Sequence, residues 1–323
     1  MKQKSVFKTL HNHTWIWICA GSLLMWILTG IISRNLNFTS LQTNTFSAAF
    51  LILLALGQMF VVTTGKGAID LSIPGVVTLA AYLNMIFING RSEMLLPGVI
   101  IIILAGIMIG LVNSTCVVIL KMPPIIATLA VNYILCSLAL FLNTNMGLER
   151  LTQADFLLTI ARGKLFGIYI MIYIVIITTA IAWFVLNKTT FGKSLIAIGQ
   201  NEEAAHYAGT RVNKVLVLSY VLSSVLGSLA GLLISVRVSG AFLGMGDAYL
   251  LETIAGVVLG GTLMSGGKPN TIGTFFGCLF LTLLVTAMRV ADLSSGMQNV
   301  LKGLLIIFVI IIGTPSRKKT EQL

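Results

Sequence analysis

Long apolar runs, broken by short polar stretches, fill nearly the whole chain. A helix needs about 20 apolar residues to cross the ~30 Å hydrocarbon layer, and ten segments approach that pattern: 15-33, 43-64, 72-89, 95-119, 123-143, 166-186, 215-236, 250-264, 270-289 and 297-313. The third is short and opens on Ser72-Ile-Pro-Gly. The eighth holds Glu252, Gly256, Gly260 and Gly261, a composition that predicts a tilted or broken helix. Such a segment persists in a membrane only where protein or a water-filled cavity covers it. The pattern therefore predicts an all-α membrane protein of about ten transmembrane helices. Its expected parts are an N-terminal tail over 1-14, a membrane domain over 15-313 and a C-terminal tail over 314-323.

Composition agrees with the pattern. Of 323 residues, 57% are apolar and 10% charged, against about 25% charged in soluble domains. The formal net charge of +11 would suit nucleic acid, but the basic residues are scattered through short loops and tails, and no nucleic-acid partner is expected. Their placement sets direction instead, since short cytoplasmic loops are enriched in Lys and Arg. With ten spans, one side collects thirteen basic residues and the other seven, Lys302 being left uncounted. The count puts both termini in the cytoplasm. The first span follows Lys2, Lys4 and Lys8, yet at 19 residues it exceeds the core of a signal peptide and reads as an uncleaved helix.

One polar island interrupts the apolar runs on the cytoplasmic side, from Phe191 to Arg211 within the loop 187-214. Asn201 is a good N-cap. Glu202 and Glu203 place negative charge in a first turn, where the helix dipole favours it. Gly209 can take the left-handed conformation that ends a helix. A two-turn helix is expected over 202-208, with Gly192 and Gly199 turning the chain on its approach. So short a helix is marginal alone, so something must hold it. Ala204, Ala205 and Ala208 offer a small face either to a docking partner or to the ends of neighbouring spans. His206 has no ligand or base partner at suitable spacing and is given no chemistry.

The remaining candidates divide between structure and function. Asp70 and Ser72 sit at the expected cytoplasmic mouth of span three, with Ser72 a potential N-cap and Pro74 in the first turn. They form either a helix-start device or a gate or subunit contact. Gln58, Asn84, Asn113 and Asn132 lie within spans, either as interhelical hydrogen bonds or as lining for an uncharged polar solute. Apart from Glu252, no Asp, Glu, Lys or Arg falls mid-span, which disfavours a proton- or ion-driven carrier. The run Gly260-Gly-Thr-Leu-Met-Ser-Gly-Gly-Lys-Pro-Asn270 lacks the spacing of a phosphate loop. Its glycines, Gly260, Gly261, Gly266 and Gly267, suit close packing in the membrane. The four cysteines have no paired or metal-ligand spacing, and no motif of an enzyme is present. Gly75-Val-Val and Gly256-Val-Val hint at inverted repeats over spans two to five and seven to ten, an arrangement frequent in transporters.

Three blocks in this order resemble the permease subunits of ribose-type bacterial ABC sugar importers: Gly67-Ala-Ile-Asp-Leu-Ser72, Phe191-Gly-Lys through Ile198-Gly-Gln-Asn-Glu-Glu-Ala-Ala to Ala208-Gly209, and Ile254-Ala through Val258-Leu-Gly-Gly-Thr-Leu-Met-Ser-Gly-Gly-Lys268. Ala68, Pro74 and Pro269 stand where that family has glycine. The resemblance implies a permease in the bacterial inner membrane, paired with a copy of itself or a similar subunit, and served by a periplasmic or lipid-anchored sugar-binding protein. It implies that the helix near 202-208 couples to a cytoplasmic ATPase, with Gly192, Gly199, Asn201, Glu202, Glu203, Ala204, Ala205, Ala208 and Gly209 as the coupling segment. It implies Asp70, Ser72, Gly260, Gly261, Gly266 and Gly267 as gate or subunit contact. No cofactor is expected on this chain, ATP being used by the ATPase. The expected cargo is a monosaccharide, a pentose first. The rivals are a branched-chain amino-acid permease of the same superfamily and a stand-alone carrier or channel.

Overall fold

The computed structural model describes residues 14–145 and 152–313, so most of both expected tails lies outside the described residues. Helices account for nearly all of it. They are α1 (Thr14–Ile32), α2 (Phe38–Thr63), α3 (Ile73–Leu83), α4 (Leu95–Ser114), α5 (Pro124–Asn145), α6 (Asp155–Arg162), α7 (Ile170–Lys188), α8 (Thr190–Gln200), α9 (Glu202–Tyr207), α10 (Val212–Val238), α11 (Tyr249–Leu259), α12 (Thr271–Val290) and α13 (Ser295–Gly313). A two-residue hairpin, β1 (Lys164–Leu165) and β2 (Ile168–Tyr169), precedes α7. Single π turns extend α3 over Asn84–Ile88 and α4 over Thr115–Ile119.

Among the described residues, six helical stretches are long and apolar enough to cross a membrane, at Phe38–Thr63, Ser92–Ile119, Pro124–Asn145, Ile170–Lys188, Val212–Val238 and Thr271–Val290. The segments at 15-33, 72-89 and 250-264 correspond to shorter apolar helices, Ile16–Ile32, Ile73–Ile88 and Tyr249–Leu259. The chain is thus an all-α membrane protein. The eighth segment holds a helix of only 11 residues, about 16 Å long at 1.5 Å per residue. The connection between α5 and α7 also contains a helix, α6, which buries Leu157 and Ala161.

α2 forms the centre and is buried over most of its length. It starts at Asn37, whose side chain accepts from Ser40 N at 2.7 Å. α10 runs antiparallel to it. Phe46 and Phe50 flank the Arg237 guanidinium near one end, and Gly57 meets the Ser223 backbone further along. The bundle has a twofold pattern. α10 packs on α3 and α4, and α2 packs on α11 and α12; α3 packs on α4 and α5, and α11 on α12 and α13. Equivalent helices begin at 38 and 212, 73 and 249, and 95 and 271. That register does not match Gly75 to Gly256. Gly75 packs on α5 at Asn132 and Leu135, whereas Gly256 packs on α12 at Cys278. The short sequence echo is therefore not the equivalence, although helix order and packing do pair the two halves.

Candidate coupling and gating site

The second and third blocks and the stretch just before the first lie far apart in sequence and meet at one end of the bundle. The end of α2, the tip of α8 and the loop 260-268 converge there. Gly267 N donates to Thr63 O at 3.0 Å, and Gln200 Nε2 donates to Gly267 O at 3.4 Å. A Cβ on Gly199 would lie 2.0 Å from Thr63 O and 2.3 Å from Gly267 N. No side chain fits between these backbones. Gly266 likewise sits against Gly65, and Gly260 against Gly273. Gly261, Gly266 and Gly267 all have positive φ, so the loop follows a path that residues with side chains rarely adopt. Lys66, just before the first block, pairs with Glu202 of the second at 2.6 Å. The pair is largely in solvent and contributes little stability.

The polar island is more helical than its sequence suggests. Gly192 and Gly199 are not turns. Both lie within α8, started by the Thr189 hydroxyl accepting from Gly192 N at 3.2 Å. Their glycines serve close approach: a Cβ on Gly192 would strike the Val185 and Leu186 carbonyls. Asn201 ends α8 and starts α9, its Oδ1 accepting from Ala204 N at 2.9 Å. At the far end Gly209 has φ +84°, Gly209 N donates to His206 O at 2.9 Å, and Thr210 N to Ala205 O at 3.0 Å. This is a glycine-terminated cap that satisfies the last carbonyls. The three alanines do not form one packed face. Ala205 is buried, while Ala204, Ala208 and Glu203 are exposed. α9 therefore stands on Ala205 and offers its other side outward. Lys66, Glu203, His206 and Asn213 line a groove of about 480 Å³ beside it.

Asp70 is not at a mouth. It is 1% exposed, carried inward by the non-helical stretch before α3. Its Oδ1 accepts from Ser72 N at 2.9 Å and Ser72 Oγ at 2.5 Å. Its Oδ2 accepts from Ser223 Oγ of α10 at 2.7 Å. Ser72 consequently does not cap α3; its hydroxyl is committed to Asp70 and accepts from Asn113 Nδ2 at 2.7 Å. Gln58, in the orientation that satisfies both ends of its amide, donates to Asp70 O at 3.2 Å and accepts from Asp70 N at 3.3 Å. Four elements are thus tied together around Asp70 and Ser72.

The four span amides divide between this cluster and two others. Gln58 and Asn113 belong to the Asp70 network. Asn84 Nδ2 donates to Ser235 Oγ at 2.7 Å and Gln153 Oε1 at 3.0 Å. Asn132 Oδ1 accepts from Gly75 N at 2.8 Å. Each amide therefore makes a contact between elements.

Two features were hidden from sequence. Lys302 pairs with Glu252 at 3.1 Å between α13 and α11, with both side chains mostly buried. The Arg237 guanidinium lies 4.8 and 4.9 Å from the Phe46 and Phe50 ring centroids. Glu252 and Lys302 stand at positions that only the packing of a short helix brings together. A Glu inside one apolar segment and a Lys inside another was the available signal.

Residues 40–310 match the family model described as branched-chain amino acid transport system / permease component. The chain belongs to this family. Among its relatives is the ribose import permease protein RbsC of Haemophilus influenzae, 32% identical over 263 residues that cover 80% of each protein. RbsC of Bacillus subtilis is 33% identical over 278 residues, 83% of this chain and 81% of the relative. The autoinducer 2 import system permease protein LsrC of Escherichia coli O9:H4 is 27% identical over 320 residues, 98% of this chain and 92% of the relative. No solved structure matches significantly.

Proposed function

We propose that this chain is the permease subunit of an ATP-binding-cassette importer that moves a monosaccharide, a pentose first, into the cytoplasm. The observation that carries the reading is the junction. The end of α2, the tip of α8 and the loop 260-268 build a backbone-to-backbone platform, and that platform holds out one capped helix, α9. A short exposed helix on so close-packed a base suits a part that must transmit force. The relatives named as ribose import permeases supply the substrate class.

In this reading α9 is the coupling helix and sits in a cleft of a separate ATPase, which binds the ATP. Asn201, Glu202, Glu203, Ala204, Ala208 and Gly209 form its outward part. Gly192, Gly199 and Ala205 fix it to the bundle. Closure of the ATPases moves α9, and the junction glycines pass that motion to α2 and to the loop beside α11. Asp70 and Ser72 hold the inward-running stretch before α3, which acts as the gate. The α2–α5 and α10–α13 halves work as inverted repeats, in the bacterial inner membrane and with both termini cytoplasmic. The complete importer contains a second permease subunit and a sugar-binding protein on the outer face.

The test is reconstitution in liposomes with a candidate ATPase and sugar-binding protein. ATP-dependent uptake of a pentose is expected. Uptake by the chain alone, without any ATPase, would overturn the coupling assignment. The family description favours a second reading, a branched-chain amino acid as cargo. Leucine uptake without pentose uptake in the same liposomes would establish it.

A further inference from the structure

The stretch between α10 and α11, residues 239-248, is not helical and does not stay at the end of the bundle. Gly246 N donates to Thr78 Oγ1 at 3.2 Å. A Cβ on Gly246 would lie 2.2 Å from the Pro74 carbonyl oxygen. Thr78 stands ten residues before the end of the π turn at Ile88, roughly 15 Å at a helical rise. The stretch therefore enters the apolar layer and rests on the first turns of α3.

Asp247 follows Gly246 and is exposed. Among the described residues it forms no ion pair. On α5, Tyr133 is also exposed. Beside Tyr133, Asn132 uses Oδ1 on Gly75 N. Its Nδ2 donates to no acceptor among the described residues. Asp247 and Asn132 are thus both anchored to the start of α3, through Gly246 on Pro74 and through Gly75.

A bare carboxylate at this depth does not face lipid. Asp at the centre of a spanning helix is costly even on the milder scale, and irregular backbone persists there only against protein or water. We propose that Asp247 and Asn132 line the solute path and form a recognition site for a neutral, polyhydroxylated solute, with Tyr133 as an apolar wall. Two solute hydroxyls donate to the Asp247 carboxylate, and Asn132 Nδ2 donates to a hydroxyl or ring oxygen. The carboxylate also repels anionic solutes. This rests on the importer reading above and names residues that set which solute passes.

The experiment has two arms. In the first, Asp247→Cys is placed in a chain whose four native cysteines are replaced by Ala, and assembled with its ATPase. A charged, membrane-impermeant thiol reagent should modify it, and sugar-loaded binding protein should slow that reaction. Reaction with an apolar maleimide alone overturns the proposal, and so does reaction with neither reagent. In the second arm, Asp247→Asn should lower pentose uptake roughly tenfold, the loss of one charge-assisted hydrogen bond, and Asp247→Glu should recover part of it. Co-purification with the ATPase verifies folding of each variant. Full uptake by Asp247→Asn overturns the inference while leaving the importer reading intact. Absence of pentose uptake by the unmodified importer overturns the reading instead, and the labelling arm still decides whether Asp247 meets water.

Discussion

At the scale of the residue, Asp70 ties more of the molecule together than its place in the sequence implied. The motif Gly67-Ala-Ile-Asp-Leu-Ser72 was legible as a block, and Pro74 in the first turn was correctly placed. The depth of Asp70 was not legible, because hydropathy cannot show that a polar loop runs back into the bundle. The network makes a graded prediction. Asp70→Ala removes the acceptor for the Ser72 and Ser223 hydroxyls in a fully buried place. Each buried polar group left without a partner costs about 1–3 kcal/mol, so the variant should unfold at a markedly lower temperature in detergent. Asp70→Asn keeps one oxygen acceptor, and the Ser223 hydroxyl can rotate to accept from the new amide. It should lie between Asp70→Ala and the native chain. An Asp70→Asn variant less stable than Asp70→Ala would show that the network depends on the charge and not on the acceptors.

At the scale of the element, α9 was legible and α8 was not. Asn201 and Gly209 announced both ends of α9 through local chemistry, a side chain that accepts a backbone N–H and a backbone able to take positive φ. α8 carries Gly192 and Gly199, and in a polar stretch a helical glycine is indistinguishable from a turn glycine until the packing partner is known. The cap makes α9 separately testable. Asn201→Ala should loosen the start of α9 by about 1 kcal/mol and weaken co-purification with the ATPase. Glu203→Lys reverses an exposed charge in the first turn and should weaken it further, while membrane insertion is unchanged. Both effects should exceed that of Lys193→Ala, an exposed change within α8. If Glu203→Lys co-purifies normally, α9 is not the contact.

At the scale of the whole molecule, the apolar pattern showed an all-α membrane protein but not how far each helix reaches. Segments three and eight look like weak spans in the sequence. In the structure α3 and α11 are equivalent short helices, each preceded by a stretch that runs into the bundle, held at Asp70 in one half and at Gly246 in the other. The pairing of the halves rests on helix order and on α2 lying antiparallel to α10, and this arrangement fixes which loops share an end. α12 starts at the junction, where Gly273 touches Gly260, and runs 20 residues to the turn at Asp292. Asp292 and α9 must then open on opposite faces of a membrane. With the native cysteines replaced, an impermeant thiol reagent added to intact cells whose outer barrier has been opened should modify Asp292→Cys and spare Glu203→Cys. In inside-out vesicles the order should reverse, because α9 then faces the reagent. Modification of both from one side would mean that α12 does not cross. The two halves would then not be inverted, and the junction could not pass motion from one face to the other.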